Sequence, residues 1–555
     1  MEKMVTIYCK KRQLYKEYPI GTTMLEILND LEPNSTNHIV AARVNNKSED
    51  LNFAVYKPKD IEFIDIKTSS GMRVYVRSLA LVLAKAIHIL QPNARMHLEH
   101  PLSKGYFCKI NHLDIPLNDA FIYSIKQKMQ EIINLNLPIA KHEKQGDEVV
   151  QLFRKRKQMD KVLLLETLNR SYVDYYELDG YVDYYNGALL PSTGNLYLFD
   201  LIPYYDGVLL RIPSRTKLTV LEDIVPQPKM YEIFNEFIRW NSIMGISNVG
   251  EFNRACKDKK AYELIQIAEA LHEKKIAGIA DRIIHSMHET RFVMISGPSS
   301  SGKTTFGKRL AVQLQVGGVK PVILSLDNYF VNRDKTPIDE NGELDFESLN
   351  ALDLDFFNLQ LQQLLNGEEV KIPTFNFELG KRQFKGHTLK LNPGTVLILE
   401  GIHALNPNLM PGISEQTKFK IYVSALTSIS LDDHNWIPTT DNRLLRRIIR
   451  DYKYRGYSAQ QTIARWASVR KGEDKWIFPF QENADVMFNS ALIFEFAVLK
   501  HYAEPILSEV PRNSEEYSEA HRLLKFLKYF LPIYDNEVPP TSLLREFLGG
   551  SSFHY

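Results

Sequence analysis

Along the chain, short apolar runs of strand length alternate with stretches whose apolar residues recur every three or four positions. In residues 1–67, β-rich runs at 4–9, 38–44 and 61–66 surround one helical stretch at 23–31, which predicts a small α+β module. Ser69-Ser-Gly-Met72 breaks that pattern. A helix is predicted over 74–90, with Leu79, Leu83, Ala86 and Leu90 on its apolar face and Pro92 as its stop. A second amphipathic helix is predicted over 119–135, and 172–212 reads as strands and turns. Residues 220–285 are helical in pattern, interrupted near 245–250, and 261–287 forms a helix leading into the next unit. From Arg291, buried-strand runs alternate with helical segments, a βαβα rhythm that implies a parallel sheet covered on both faces. After Leu499 the pattern is helical again and ends in the polar tail GGSSFHY.

A chain of 555 residues exceeds one core, so several domains are expected. A net charge of +1 gives no bulk attraction to nucleic acid or an anionic membrane, so any basic site has to be local. The three cysteines, Cys9, Cys108 and Cys256, have neither disulfide-framework nor zinc spacing, which fits a reducing compartment. The first residues do not read as a signal peptide, and no window reaches the length of a membrane span. A cytoplasmic protein with no membrane partner is expected.

The chemistry-bearing motif lies at 297–304. An apolar strand run, 292–296, is followed by Gly297-Pro-Ser-Ser-Ser-Gly302-Lys303-Thr304 and then by a helical segment to about 315. This is G-x-x-x-x-G-K-[ST] between a strand and a helix, the context a phosphate cradle requires. The candidate ATP-binding set is Gly297, Ser299, Ser300, Ser301, Gly302, Lys303, Thr304 and Thr305. Backbone N–H groups and the helix N-terminus take the phosphates, Lys303 reaches the β- and γ-phosphates, and Thr304 reaches Mg²⁺.

Two acids follow strand runs: Asp327 after 321–326 and Glu400 after 395–399. Ligand crevices in open α/β sheets lie at the carboxyl ends of strands, so both are expected to face the phosphates. Glu400 is the candidate Mg²⁺ ligand. Asp327 is the candidate base for an attacking hydroxyl, with a share in the metal. Residues 442–456, NRLLRRIIRDYKYRG, place Arg443, Arg447 and Arg450 on one helix face with Arg446 beside it, and Asp451 is the one nearby acid. A cluster closing over triphosphate charge is expected.

From 291 to about 490 these residues resemble the uridine kinase family, within the group that includes phosphoribulokinase. The motifs that carry it stand in order: GPSSSGKTT, LDNYF, LDFESLNALD, IPTFNF, LILEGIHAL, RRIIRDYKYRG and ENADVMFN. The resemblance implies a P-loop α/β kinase domain that passes the γ-phosphoryl of ATP to a nucleoside with Mg²⁺ as cofactor. It implies Asp327 as base, Thr304 and Glu400 on Mg²⁺, Arg447, Arg450 and Arg455 around phosphates and substrate, and Glu347 on the ribose hydroxyls. Phe375 and Gly380 stand where the family has a tyrosine and a histidine that contact the pyrimidine edge, while Phe377 remains to stack on a base. Tyr457 replaces a family arginine. The empty space left at Gly380 is expected to admit a larger base.

The first 220 residues resemble the N-terminal part of threonyl-tRNA synthetase: 1–67 its ubiquitin-like TGS domain, and 68–220 its editing domain, most clearly through SSGMRVYVRSLALVLAKAIHILQP. The family's H-x-x-x-H and C-x-x-x-H positions hold Arg77, Leu81, Tyr185 and Leu189. Zinc binding and hydrolytic editing are not expected there. The expected division is therefore 1–67, 68–220, a helical linker 221–285, the kinase 286–498, and a helical extension and tail 499–555.

His97 and His100 form an H-x-x-H without a third ligand nearby, and Arg154–Lys157 is read as a solvated basic run. The tyrosines at 172, 175, 176, 181, 184 and 185 are read as strand packing. A nucleoside and ATP are the expected partners, and a homo-oligomer is the expected assembly. Two rivals stay open: a kinase of another hydroxyl substrate such as a sugar phosphate, and an RNA-binding or regulatory protein working through its N-terminal half.

Overall fold

Five parallel strands form the sheet that carries the phosphate loop. They are β1 (Phe292–Ser296), β2 (Lys320–Ser325), β3 (Thr395–Glu400), β4 (Lys418–Ser424) and β5 (Val486–Asn489), in the order β2-β3-β1-β4-β5. The computed structural model describes residues 3–33, 38–340, 342–392 and 394–554. Met1 and Glu2 of the predicted first module and Tyr555 of the polar tail lie outside the described residues. Because β1 is central and the chain leaves it first to one side and then to the other, the carboxyl ends of β1, β2 and β3 open one crevice.

Side chains of β1 alternate between two cores, as the strand period of two requires. Phe292 and Met294 join one core, in which helix Pro228–Ile243 places Met230, Ile233, Phe234 and Phe237. Val293 and Ile295 join the other, which contains Ile276, Ile279 and Ile283 of helix Ala261–His285 and Phe306, Leu310 and Leu314 of α1 (Lys303–Val316). Residues 221–285 are thus not a linker. Their two long helices put apolar stripes on opposite faces of the sheet, because a parallel sheet is stable only when both faces are covered.

The N-terminal half keeps the predicted runs, adds strands Leu14–Pro19 and Lys47–Glu49 to the first module, and differs at the start of the long helix. Five strands between Met4 and Asp65 form one sheet beside helix Met24–Leu31, which is entered through a capping box between Thr23 and Glu26. The next helix begins at Ser69 rather than 74. Thr68 caps it by accepting the Gly71 N–H at 3.0 Å, so SSGM is its first turn and not a break. Gly71 is tolerated there because the helix passes so close to the preceding strand that a Cβ would lie 2.2 Å from the Asp65 carbonyl oxygen. Helix Ser69–Leu90 shares a core with the four-stranded antiparallel sheet built from residues 95–111 and 200–211.

The halves meet at buried charge. Lys161, 1% exposed, lies 3.2 Å from Asp160, 3.2 Å from Asp183 and 3.6 Å from Asp432, while His434 Nδ1 is 2.6 Å from Asp183. Buried charges persist only when paired, so the loop before the arginine-rich helix is fixed to the N-terminal half.

The predicted boundary at 498 falls inside helix Glu495–Ser508. After helix Tyr517–Leu527 the chain turns back in irregular structure to a short helix, Arg545–Leu548, beside the phosphate loop. Leu543, Leu544, Phe547 and Leu548 are all buried, and each such side chain contributes on the order of 1.5–3 kcal/mol. Among the described residues no helix is long and apolar enough to cross a membrane.

Candidate active site

The loop between β1 and α1 is shaped by its glycines. A Cβ on Gly297 would lie 1.9 Å from the Val423 carbonyl oxygen, so only glycine lets the loop leave β1 this close to β4. Gly302 caps α1 in the left-handed region at φ +85° and makes no side-chain cap bond, which leaves the Lys303 and Thr304 N–H groups of the first turn without an intrahelical acceptor, while the Thr305 N–H meets Glu546. Lys303 is 8% exposed and folds its Nζ back to the Pro298 carbonyl at 3.2 Å. The hydroxyls of Ser300 and Ser301 are buried without a hydrogen-bond partner among the described residues. Free hydroxyl donors, a lysine and a helix N-terminus are what a polyphosphate satisfies.

Three acids converge on Lys303. Glu400 ends β3 and accepts from Ser325 Oγ at 3.4 Å, and Asp327 follows β2 in one tight helical turn, Leu326–Tyr329. Burial pushes the Glu400 carboxyl up to about 7; Asp327 and Glu546 raise it further, against Lys303 and Ser325. Burial likewise pushes Glu347 up to about 7, with Arg447 and Lys303 opposing and Glu473 and Asp327 adding. One Glu347 oxygen is buried without a partner. Its side chain packs so tightly on α3 (Ala459–Trp476) that a Cβ on Gly472 would meet Glu347 Cβ at 2.3 Å. Thr304, Glu400 and Asp327 are the sparse oxygen set that Mg²⁺ uses when phosphates complete its shell, and they fit that ion.

The arginine helix, α2 (Thr439–Tyr454), corrects one expectation. Arg443 and Arg446 do not aim at phosphate charge. Arg443 pairs with Glu473 of α3 and donates to the Ser299 carbonyl at 3.1 Å; Arg446 pairs with Glu495 and donates to the Ser490 carbonyl at 2.8 Å. Their partners come from other elements, which helix spacing could not reveal. Arg447 does reach the loop, donating to Ser299 Oγ at 3.0 Å. Arg447, Arg450 and Arg455 gather around Asp451, at 3.2, 2.7 and 3.7 Å. Burial opposes its charge, yet Arg450, Arg447 and Arg455 hold the Asp451 carboxyl below its ordinary range. Three guanidinium groups on one carboxylate leave cationic capacity for a ligand.

Two of the predicted substrate residues, Phe375 and Phe377, sit on the hairpin that pairs Thr374–Asn376 with Lys381–Gln383. Phe375, Phe377 and Phe330 form an aromatic cluster with centroids 5.2–6.4 Å apart, and Arg455 lies 5.0 Å over the Phe377 ring. The space beside Gly380 is not empty. A Cβ there would meet Arg333 side-chain atoms at 2.7–2.9 Å, and Arg333 also donates to the Phe377 carbonyl at 2.8 Å. Arg333, Glu473, Ser490 and Glu546 are site neighbours that the sequence reading missed. None carries a motif, and each is brought in by tertiary packing alone.

The four editing positions do converge, as packing. Leu81, Tyr185 and Leu189 are buried in one core, and Arg77 donates to the Ala188 carbonyl at 2.8 Å. His97 and His100 diverge. Burial disfavours the His97 cation, but Asp433 at 3.0 Å and Glu99 raise it to about 9; His100 stacks on Phe234 at 3.5 Å and burial pushes it down to about 3. Tyr175, Tyr176, Tyr184 and Tyr185 are core residues.

A parallel sheet with a phosphate loop, a lysine and acids at its strand ends defines a P-loop phosphotransferase of the kinase type. Residues 292–493 match the profile of the Phosphoribulokinase / Uridine kinase family. A uridine kinase of Staphylococcus aureus (strain JH9) is 31% identical over 202 residues, covering 36% of this chain and 88% of that protein. The chain belongs to this family. A threonine–tRNA ligase of Syntrophomonas wolfei is 30% identical over 184 residues, 33% of this chain, in the N-terminal region; the chain spans only 28% of that ligase's length. A solved structure described as a possible uridine kinase from Bacillus stearothermophilus is 18% identical, covers 39% of this chain and all of its own, and has a TM-score of 0.27.

Proposed function

We propose that the chain is an ATP-dependent nucleoside 5′-kinase. The observation that carries this reading is the convergence of Lys303, Asp327 and Arg447 on the buried Glu347 carboxyl, each near enough for its charge to act there. The phosphate end holds Gly297, Ser299–Thr305 and Lys303. Asp327 takes the proton of the acceptor hydroxyl as its oxygen bonds to the γ-phosphorus; the bond to the β–γ bridging oxygen breaks, and ADP leaves. Glu347, with an unpartnered oxygen, accepts from the ribose hydroxyls, and the Phe375–Phe377 pair offers a face for a base. Arg447, Arg450 and Arg455 stabilise the charge that spreads over the transferring group. A divalent ion held by Thr304, Glu400 and Asp327 would neutralise phosphate charge there.

The test is a panel of nucleosides with ATP and Mg²⁺, following ADP release. Phosphorylation of at least one nucleoside at its 5′-hydroxyl is expected. Turnover of a sugar phosphate with no nucleoside accepted would replace this reading with its phosphoribulokinase-like rival.

A further inference from the structure

The C-terminal segment delivers a carboxylate onto the phosphate loop. Glu546 Oε2 accepts from the Thr305 N–H at 3.2 Å and from Thr305 Oγ1 at 2.7 Å. Thr305 is the third residue of α1, so this N–H is one of the first-turn donors that a helix cannot satisfy internally. In a phosphate loop of this type Lys303 serves the β- and γ-phosphates and Thr304 the metal, while the loop N–H groups cradle the α- and β-phosphates. The donors of Thr305, one residue further along the helix, are then left to the α-phosphate. Glu546 places a negative oxygen on them, and its charge reaches Glu400 across the site.

The segment that carries Glu546 is firmly anchored. Leu543 lines the loop, 3.2 Å from where a Cβ on Gly302 would stand, and Phe547 lies under the Arg446 guanidinium at 5.1 Å. Lys453 Nζ donates to the Leu548 carbonyl at 2.5 Å. Four buried apolar side chains hold the segment, whereas two hydrogen bonds hold the half-buried Glu546 side chain. Rotation of one side chain is therefore the low-cost movement, and release of the whole segment is not.

We infer that Glu546 is a built-in competitor for the nucleotide α-phosphate, a swinging carboxylate on a fixed strap that must leave Thr305 before ATP can seat. This rests on the phosphate loop taking a nucleotide, and not on which hydroxyl accepts the phosphoryl group. Calorimetric titration of the full chain with ATP·Mg²⁺ tests it in the unmodified protein, E546A, E546Q and the control E537Q. Glu537 is an exposed acid on the same segment. Glu546→Gln keeps a carbonyl acceptor for Thr305 but removes the charge, so it guards against a folding defect in Glu546→Ala. Both are expected to bind ATP about tenfold tighter, the effect of about 1.4 kcal/mol, while E537Q is unchanged. Equal or weaker affinity in both Glu546 variants, or an equal gain in E537Q, would overturn the inference. No ATP binding by any of the four would remove the phosphate-loop reading with it. ATP binding with no nucleoside turned over would remove only the acceptor assignment.

Discussion

Arg443 grips Glu473 through two hydrogen bonds of 2.5 and 2.8 Å, and the same carboxylate accepts the Ser299 N–H of the phosphate loop at 3.1 Å. Burial alone would raise the Glu473 carboxyl, but Arg443 and Arg470 outweigh it and hold it below its ordinary range. The pair is a clamp that sets the loop on α2 and α3 before any ligand arrives. Removing one partner strands a buried charge, which costs about 3–5 kcal/mol, while removing both together costs less. Denaturant melts should show Arg443→Met and Glu473→Gln each strongly destabilised, with the double variant short of their sum. Additive losses would mean that the two do not act as a clamp.

Lys303 is expected to behave differently, because among the described residues its ammonium donates to the Pro298 carbonyl and otherwise faces a cluster of acids. Its charge is needed when negative charge gathers on the transferring phosphoryl group. Lys303→Ala should lower kcat/KM on the order of a thousandfold or more with the melting temperature nearly unchanged. Near-normal turnover in a folded variant would remove the phosphate-loop assignment.

The Asp327 side chain makes no hydrogen bond among the described residues, which leaves its carboxylate available to an attacking hydroxyl. Asp327→Asn should cut kcat by about 10²–10⁴ with only a small change in ATP affinity. If ATP·Mg²⁺ binding collapses instead, the residue is chiefly a metal ligand.

The contrast between these residues shows what the sequence made legible. The shared neighbourhood of Lys303, Asp327 and Glu400 could be read in advance because each lies at or just past the carboxyl end of a strand, and topology carries those ends to one crevice. The sheet was legible from the same alternation of apolar runs and helices. Arg443 and Arg446 were misassigned because helix periodicity reports which residues share a face but not what that face meets. Glu473 and Glu495 meet the arginine helix from 30 and 49 residues away, and Glu546 meets α1 from 241 residues away. The helices of 221–285 were read as a linker for the same reason: their apolar stripes were visible, but their partner sheet, later in the chain, was not.

Glu347 makes the site sensitive to pH. Burial, above all, raises its carboxyl from an ordinary 4.5 to about 7. A raised carboxyl stabilises the fold below the unfolded pKa, and that contribution is lost as pH rises through the folded pKa, at most about 3 kcal/mol before solvent screening. Stability should therefore fall between pH 4.5 and pH 7, and Glu347→Gln should flatten that part of the profile. KM for the acceptor should move the other way, improving as pH rises through 7, because the ionised carboxylate is the better acceptor of ribose hydroxyls. A KM that ignores pH in this window would place Glu347 outside the acceptor site.

The base preference follows from what surrounds Phe375 and Gly380. The tyrosine and histidine that read a pyrimidine edge in the resembling family are absent, and an apolar wall cannot reject a base by leaving its own polar groups unpaired. Arg333 fills the volume beside Gly380, so any breadth of specificity comes from lost hydrogen bonds and not from added room. Phe377, with Arg455 at 5.0 Å over its ring, offers stacking that every base can use. Values of kcat/KM for uridine, cytidine, adenosine, guanosine and inosine are expected to lie within about tenfold of one another, the discrimination that pocket shape alone supplies. Arg333→Ala should shift the ranking toward the larger purines by opening the space beside Gly380. A strong preference for uridine and cytidine that survives Arg333→Ala would show that other residues restore the pyrimidine contacts, and this account of the pocket would fall.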